Sequence, residues 1–503
     1  MEMTEPRSFR DVPLGLAWVP LASHQTSPVP PLKRDAAVWP TEETGFARSR
    51  IVEAIRSAED TVCICSFLFY DEAIRNALLD ATGRGVRCYL LTMSEQHLLK
   101  DLSQESGFAR KQVEEHKATL DALAGRVLVR TAQHFHSKFV VVDPQSPDKR
   151  VAFLSTANLA ADALTRNVEV VVPLKGNLAE AIFEQFRIGF WQQSEHELFQ
   201  PGRLEPVGKS GKRKLASDFP PEFLLTTQSS QTLKQSLLDF VENMQDDLWV
   251  SSYNLDMKHE VAQNMLRRVK GGLKTHVFVR PRVKNMEAAV ALMRAGAEVY
   301  AHKFLHAKAL LGKVGGKTHG IVMTANVESP GLDTGFETGI LLSPSQCEGL
   351  RTLMESWPQT FHFRLAENLS RGQVEGQCLL WNGKELREAK VGGKMEKDLG
   401  SVQAKSINLM AETKPAVFPE PDGGEVLSLP HEIVYRWTVL PPTLPKGAQR
   451  LKSEGNINLF QHKEKKYVTV KSPEDVERVA PKAKELGAEM VAESSSLEPS
   501  GSD

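Results

Sequence analysis

The chain has 503 residues, about three average domains by length, and its 62 Lys and Arg against 63 Asp and Glu leave a formal charge of −1. A composition of 41% hydrophobic and 25% charged residues excludes a disordered or fibrous chain, and the balanced charge means that attraction to nucleic acid or anionic lipid must come from local patches. No run of about 18 apolar residues predicts a membrane span and the first residues hold no basic stretch before an apolar core, so a cytoplasmic protein is expected. Five cysteines, an odd number, include Cys63, Cys65 and Cys88 in apolar stretches, which predicts reduced core residues and no four-cysteine zinc site.

In chain order, residues 1–46 read as an irregular lead-in. Residues 47–92 then predict an amphipathic helix, a strand (VCICSF), a second helix, a Gly turn and another strand. Residues 94–124 are polar and helical in pattern, and RVLVR, KFVVVD and VEVVV are further strands, apolar almost throughout, as strands buried on both faces are. Residues 201–222, rich in Pro, Gly and Lys, predict a linker. Residues 233–279 then repeat the 47–92 pattern, with Asp60 answered by Asp247 and Gly85 by Gly272 at one offset. HSKFVVVD (136–143) is likewise answered by HAKALLGK (306–313), and STANLAADALTRNVEVVV (155–172) by MTANVESPGLDTGFETGI (323–340). Two α/β halves, 47–200 and 223–365, are therefore expected, each a mixed or largely parallel sheet carrying helices. An accessory region, 366–490, holds strand-like pieces (QCLLWNG, EIVYRWTVL, KKYVTV) and a helix after Ser472, and 491–503 reads as a disordered tail.

Each half carries His, Lys, Thr, Asn and Glu in the same order: His136, Lys138, Thr156, Asn158 and Glu169, then His306, Lys308, Thr324, Asn326 and Glu337. The Asn-to-Glu spacing is eleven positions in both. A lone His-x-Lys is most often a surface accident; the duplicate is what argues for a site. Lysines, asparagine amides and threonine hydroxyls suit the non-bridging oxygens of a phosphate. Two imidazoles supply the nucleophile and the proton donor that a phosphodiester needs, because an alkoxide leaves poorly unless protonated as it departs. A carboxylate on each imidazole would fix its tautomer, and Glu169 and Glu337 are the candidates.

These residues resemble the phospholipase D superfamily, whose signature is His-x-Lys, four residues, Asp, then Gly/Ser-x-Asn. The first copy here also has Asp143, whereas the second has Gly312 or Lys313 at that place, as tyrosyl-DNA phosphodiesterases of the superfamily do without the Asp. Ser155 and Met323 replace the usual glycine. The resemblance spans residues 47–345. It implies two α/β/α sandwich halves about a pseudo-twofold axis, with the accessory region added, and their motifs meeting in one cleft. It further implies catalysis without metal or other cofactor, through a phosphohistidine. Asp143, Thr156 and Thr324 take supporting places. The fuller first motif points to His136 as nucleophile and His306 as proton donor.

Between Arg267 and Lys284 lie Arg268, Lys270, Lys274, Arg280 and Arg282 with no acid among them, which reads as a phosphate-backbone track or, blandly, as a solvated face. The linker cluster Lys209, Lys212, Arg213 and Lys214 is a weaker signal. His134 with His136 could form a metal pair, but Lys138 on the same face would repel a cation. GKS at 208–210 lacks the spacing and flanks of a nucleotide-binding loop. The expected function is thus a nuclease-type phosphodiesterase with nucleic acid as partner. Lipid phosphodiester chemistry and a catalytically silent binding scaffold are the alternatives, and the C-terminal region could serve a protein partner.

Overall fold

The computed structural model describes residues 13–21, 37–41, 45–99, 107–208, 219–227, 229–391, 417–419, 425–427, 448–454, 457–470 and 473–492. The basic linker cluster, the strand-like EIVYRWTVL and nearly all of the expected tail lie outside them.

Two large sheets carry the duplication. The first is built from β2 (Trp39–Pro40), β3 (Thr61–Cys65), β4 (Arg87–Thr92), β5 (Leu128–Ala132), β6 (Phe139–Val142), β7 (Val151–Ser155), β8 (Val170–Leu174), β9 (Ser194–Gln200) and β10 (Arg203–Pro206), in the order β10-β9-β5-β4-β3-β6-β7-β8-β2. The second contains β11 (Phe223–Thr226), β12 (Asp247–Ser252), β13 (Lys274–Val279), β14 (Glu298–Ala301), β15 (Ala309–Val314), β16 (Lys317–Met323), β17 (Glu337–Leu341) and β18 (Phe363–Glu367). Its order is β11-β17-β16-β15-β12-β13-β14-β18, followed by β1 (Leu16–Pro20), β19 (Gly376–Trp381) and β20 (Leu386–Val391). Eight strands of each sheet thus stand in one order, with a parallel trio at the centre (β3-β4-β5, β12-β13-β14) and antiparallel neighbours outside it.

The central strands are apolar on both faces because both faces are covered. Outer helices α1 (Phe46–Ser57), α2 (Glu72–Gly83), α3 (Glu95–Leu99), α4 (Gly107–Leu123) and α5 (Ala161–Thr165) lie on the first half, and α7 (Thr232–Asn243), α8 (Glu260–Lys270), α9 (Val283–Ala295) and α10 (Ser329–Leu332) on the second. In α8 the buried positions Val261, Ala262, Met265 and Val269 form one stripe, as helical periodicity requires. The inner faces of both sheets share a single core with α6 (Gly176–Ile188) and α11 (Pro344–Thr360), including Phe135, Phe186, Phe190, Phe278, Phe336 and Trp357. All five cysteines are buried.

Several sequence boundaries change. The lead-in is not irregular throughout: β2 pairs with β8 of the first half and β1 with β18 of the second, where backbone groups at the sheet edges find partners. The linker's first residues form β10, paired to β9. The accessory region divides, since residues 377–390 belong to the large unit with both halves, while the described residues between 391 and 492 fall in a separate compact unit. That unit contains a sheet of Gln449–Glu454, Ile457–His462, Lys465–Val470 and Ala488–Ala492, with the helix Pro473–Glu485 connecting its last two strands and Leu459, Val468, Val479 and Ala483 buried together. The repeat offset also slips by one. Thr61 stands opposite Arg87 and Asp247 opposite Lys274, so Thr61, rather than Asp60, corresponds to Asp247.

Asp143 closes the far end of β6. Its carboxylate accepts from the backbone N–H groups of Glu59, Asp60 and Thr61, at 3.0, 2.8 and 3.0 Å at the closest, and fixes the turn that enters β3. In the second half the Lys313 carbonyl accepts from the Gln245 and Asp246 amides instead, so the missing carboxylate is replaced by backbone. Gly312 permits that approach, because a Cβ there would lie 2.8 Å from the Asp247 carbonyl oxygen. Asp143 is therefore a fold determinant away from the histidines. Asp143→Ala should lower unfolding stability by about 1.5–3 kcal/mol, the range for hydrogen bonds to a charged group. Urea denaturation checks this, and an unchanged midpoint would refute the role.

Candidate active site

The parallel trios end, and the antiparallel strands beside them begin, at one edge of each sheet. There β6 starts opposite Cys65 and β15 opposite Ser251, so the His-x-Lys segments just before β6 and β15 sit at the carboxyl ends of β3 and β12. Matched backbone bonds join the two edges. His136 and His306 donate their N–H groups to the carbonyls of Phe336 and Val168, 3.1 and 3.0 Å away, while Phe135 bridges Phe336 and Leu305 bridges Val168. Each half thus lends its His segment to the strand-entry segment of the other, which is the pseudo-twofold relation written in backbone. Ser137 Oγ, between the first His and Lys, donates to the Phe336 carbonyl at 3.0 Å and seals the joint.

The carboxylates follow this crossing. His136 Nδ1 lies 2.8 Å from Glu337 Oε1, and His306 Nδ1 lies 2.6 Å from Glu169 Oε1, so each imidazole meets the glutamate of the other half. Thr156 Oγ1 donates to the second oxygen of Glu169 at 2.7 Å, and Thr324 does the same for Glu337. The two pairs are not equal. His136 makes a well-aligned hydrogen bond that holds its proton on Nδ1 and leaves Nε2 with a lone pair. At His306 the short approach lies outside hydrogen-bond alignment, and Lys308 Nζ stands 3.0 Å from the same Nδ1.

Lys138 and Lys308 are fully buried, and each ammonium folds back to the carbonyl of its own histidine, both at 2.5 Å. Burial, only partly offset by the two glutamates, pushes Lys138 down to about 7 and Lys308 to about 8. Burial also lowers both histidines, His306 to about 4, against the pull of the facing carboxylates. For Glu169 and Glu337 burial acts the other way, but the imidazoles, lysines and threonines outweigh it and keep them ionised. With both lysines charged, two ammoniums, two carboxylates and two neutral imidazoles make a set of zero net charge.

A cavity of about 250 Å³ opens beside His136, lined among others by Phe67, His134, Asn326, Glu328, Thr334 and Glu337. His306 does not line it. Asn158 is partly exposed, and its Oδ1, like that of Asn326, has no hydrogen-bond partner. Two rings outside the repeated motif flank the histidines: Phe67 meets His136 edge-on at 5.6 Å, and Tyr253 meets His306 at 4.5 Å. The signal was present in the matched pairs Ser66-Phe67 and Ser252-Tyr253, whose serines both donate two residues on, to the carbonyls of Leu68 and Asn254.

The basic run is split. Arg267, Arg268 and Lys270 end α8 and Lys274 starts β13, at the sheet edge away from the histidines; Arg267 pairs with Glu242 and Arg268 donates to the Met244 carbonyl. Arg280 and Arg282 follow β13 at the site edge, their guanidinium carbons 5.5 and 4.8 Å from the Tyr253 ring centre. Lys284 pairs with Glu328 at 2.5 Å. A continuous seven-residue track is excluded, because a strand's length separates its two parts. Arg166, unnoticed in the sequence, lies near Arg280, over Phe304 at 4.9 Å and the exposed Phe108 at 5.3 Å.

An anion entering this neutral set should raise the lysine and histidine pKa values, so binding takes up protons. Affinity for an oxyanion such as tungstate should be highest in weak acid and fall as pH rises through about 7 to 8, where Lys138 and Lys308 of the free protein lose their charge. Titration calorimetry in buffers of different ionisation enthalpy checks this; pH-independent binding without proton uptake would contradict it.

Residues 51–192 match the family model described as cardiolipin synthase, PLD-like domain. No curated protein matches the chain. Among solved structures, a phosphatidylserine synthase from Haemophilus influenzae Rd KW20 is similar at 13% identity and a TM-score of 0.46, over 79% of this chain and 97% of its own. Nuc from Salmonella typhimurium, a phospholipase D family member, is 23% identical over 32% of this chain and 93% of its own, with a TM-score of 0.25. A yeast tyrosyl-DNA phosphodiesterase mutant is 9% identical over 61% of this chain and 90% of its own, with a TM-score of 0.39.

Proposed function

We propose that this chain, whose residues 51–192 match a PLD-like domain, is a metal-independent phosphodiesterase of the phospholipase D superfamily acting on nucleic acid through a phosphohistidine. The observation that carries the reading is the crossed pairing of each histidine with the other half's glutamate. His136 is the nucleophile. Its Nε2 is free to attack, its Nδ1–H is held by Glu337, and the cavity opens on its side. Asp143, the reason the sequence suggested, plays no part in that choice, since it caps a turn elsewhere.

Attack of His136 Nε2 on phosphorus forms a P–N bond as the P–O bond to the leaving group breaks. His306 gives that oxygen its proton, then takes one from the water whose oxygen displaces His136 from phosphorus. In the free cleft His306 is neutral, but a phosphodiester lodged between Lys138 and Lys308 cancels their repulsion and adds one negative charge, so protonating His306 restores the balance. The lysines, with Asn158 and Asn326, hold the non-bridging oxygens and supply the stabilisation that a divalent ion would otherwise bring. His136→Ala should abolish turnover and adduct formation. His306→Ala, given a p-nitrophenyl diester whose leaving group needs no proton, should accumulate the adduct, detected by acid-quenched mass spectrometry, and EDTA should leave the wild-type rate unchanged. An adduct on His306 in the His136 variant would reverse the roles.

Nucleic acid is favoured by the flat cationic and aromatic groups at the cleft edge: Arg280 and Arg282 over Tyr253, and Arg166 between Phe304 and Phe108, which suit phosphates and the faces of bases. The description of the matching family model favours a second reading, a lipid phosphodiester. Replacing Arg280 and Arg282 by Gln should lower the salt slope of oligonucleotide binding by about two units if each meets one phosphate, whereas replacing Arg267 and Arg268 should not. Filter binding at several salt concentrations measures this. Hydrolysis of phosphatidyl vesicles without oligonucleotide cleavage would select the lipid reading.

A further inference from the structure

The pseudo-twofold symmetry of the cleft is broken by one carboxylate. Glu328 stands two residues after Asn326, where the first half has Ala160 two residues after Asn158. It is buried and lines the same cavity as His136 and Asn326. Its Oε1 accepts from Asn326 Nδ2 at 3.0 Å and from Asn254 Nδ2 at 2.9 Å, and its Oε2 from Lys284 Nζ at 2.5 Å. Asn254 has its own counterpart in Leu68, so nothing in the first half could make this network. Burial alone would favour the protonated acid, but Lys284 and the two amides outweigh it and keep Glu328 ionised.

An ionised carboxylate is an odd group to find in the wall of an anion site. It is not the main counter-charge of the lysines, which face Glu169 and Glu337 first; at Lys308 it adds the smallest of three carboxylate pulls, and Lys138 does not feel it. Two consequences follow from its contacts. It commits one N–H of Asn326 and so aims the other, and it sets a fixed negative charge on the cavity wall. Lys284 offsets that charge only in part, because its side chain is 52% exposed and screened by water and salt, whereas the carboxylate at 8% is not. A phosphodiester carries one negative charge at every pH above about 2, but a terminal phosphate carries nearly two at neutral pH, its second pKa being about 6. Like charges at close range inside a low-dielectric wall repel far more than in water.

We propose that Glu328 makes this cleft selective for singly charged phosphodiesters against doubly charged terminal phosphates. The inference rests on the reading of the cleft as a phosphodiester site. For a chain-cleaving enzyme such a wall limits product inhibition by phosphate ends and keeps the nucleophile from engaging them.

The test compares ethyl phosphate with diethyl phosphate, titrated into the full chain at pH 7.5 and pH 5. Glu328→Gln keeps an acceptor for both asparagines and removes the charge. It should improve ethyl phosphate binding relative to diethyl phosphate by about tenfold at pH 7.5, and hardly at pH 5, where both probes are monoanions. Lys284→Met should move the pH 7.5 ratio the opposite way, because the carboxylate loses its counter-ion. Equal changes for the two probes in both variants would overturn the selectivity while leaving the phosphodiester reading intact. Failure of both probes to bind the unmodified protein would overturn the phosphodiester reading, and the selectivity with it.

Discussion

Everything at the centre of this molecule depends on keeping two ammoniums and two carboxylates in a place without bulk water. Each such charge costs several kcal/mol to bury, and the cost is recovered only if its partner is present in good geometry. Here each carboxylate meets the imidazole of the other half. Glu337 is left without its imidazole if the first half is removed, and Glu169 if the second is. The halves are therefore not two domains that happen to touch. The core they share, with Phe135 stacked on Phe336 at 4.9 Å, lies directly under the charged set and excludes water from it. A buried polar triad of Ser137, Gln185 and Thr338, in which Thr338 Oγ1 approaches Gln185 Oε1 at 2.7 Å, fixes the same joint.

Much of this was legible in the residues. The repeated order of His, Lys, Thr, Asn and Glu marked the site, and apolar strands alternating with amphipathic helices marked the two sheets. What could not be read was who meets whom. A glutamate eleven positions after an asparagine has no local reason to reach one imidazole over the other; the choice is made by the backbone joints at Phe336 and Val168, which are tertiary. The basic run failed for a related cause. Seven residues close in sequence are not close in space, because they span the length of β13, and its two ends belong to opposite edges of the sheet. The motif gives Asp143 only a supporting place, and spacing alone cannot tell a group facing a cleft from one capping a turn at the strand's other end. Arg166 escaped because an isolated arginine in a helix-ending turn carries no pattern.

The departures from symmetry are as informative as the symmetry. A duplicated frame supplies two equivalent histidines, but a double displacement needs two unlike ones, a nucleophile with a free lone pair and an acid that changes protonation during the reaction. The frame alone cannot make that distinction; the side chains around it can. On the His136 side the cavity is open and the Nδ1 hydrogen bond is aligned. On the His306 side Lys308 crowds Nδ1, burial lowers the imidazole further, and Tyr253 brings two guanidiniums to the edge. The first environment favours a fixed tautomer and an approachable Nε2. The second favours an imidazole whose proton is held only once an anion has arrived, which is the behaviour required of an acid that must not titrate before its substrate binds.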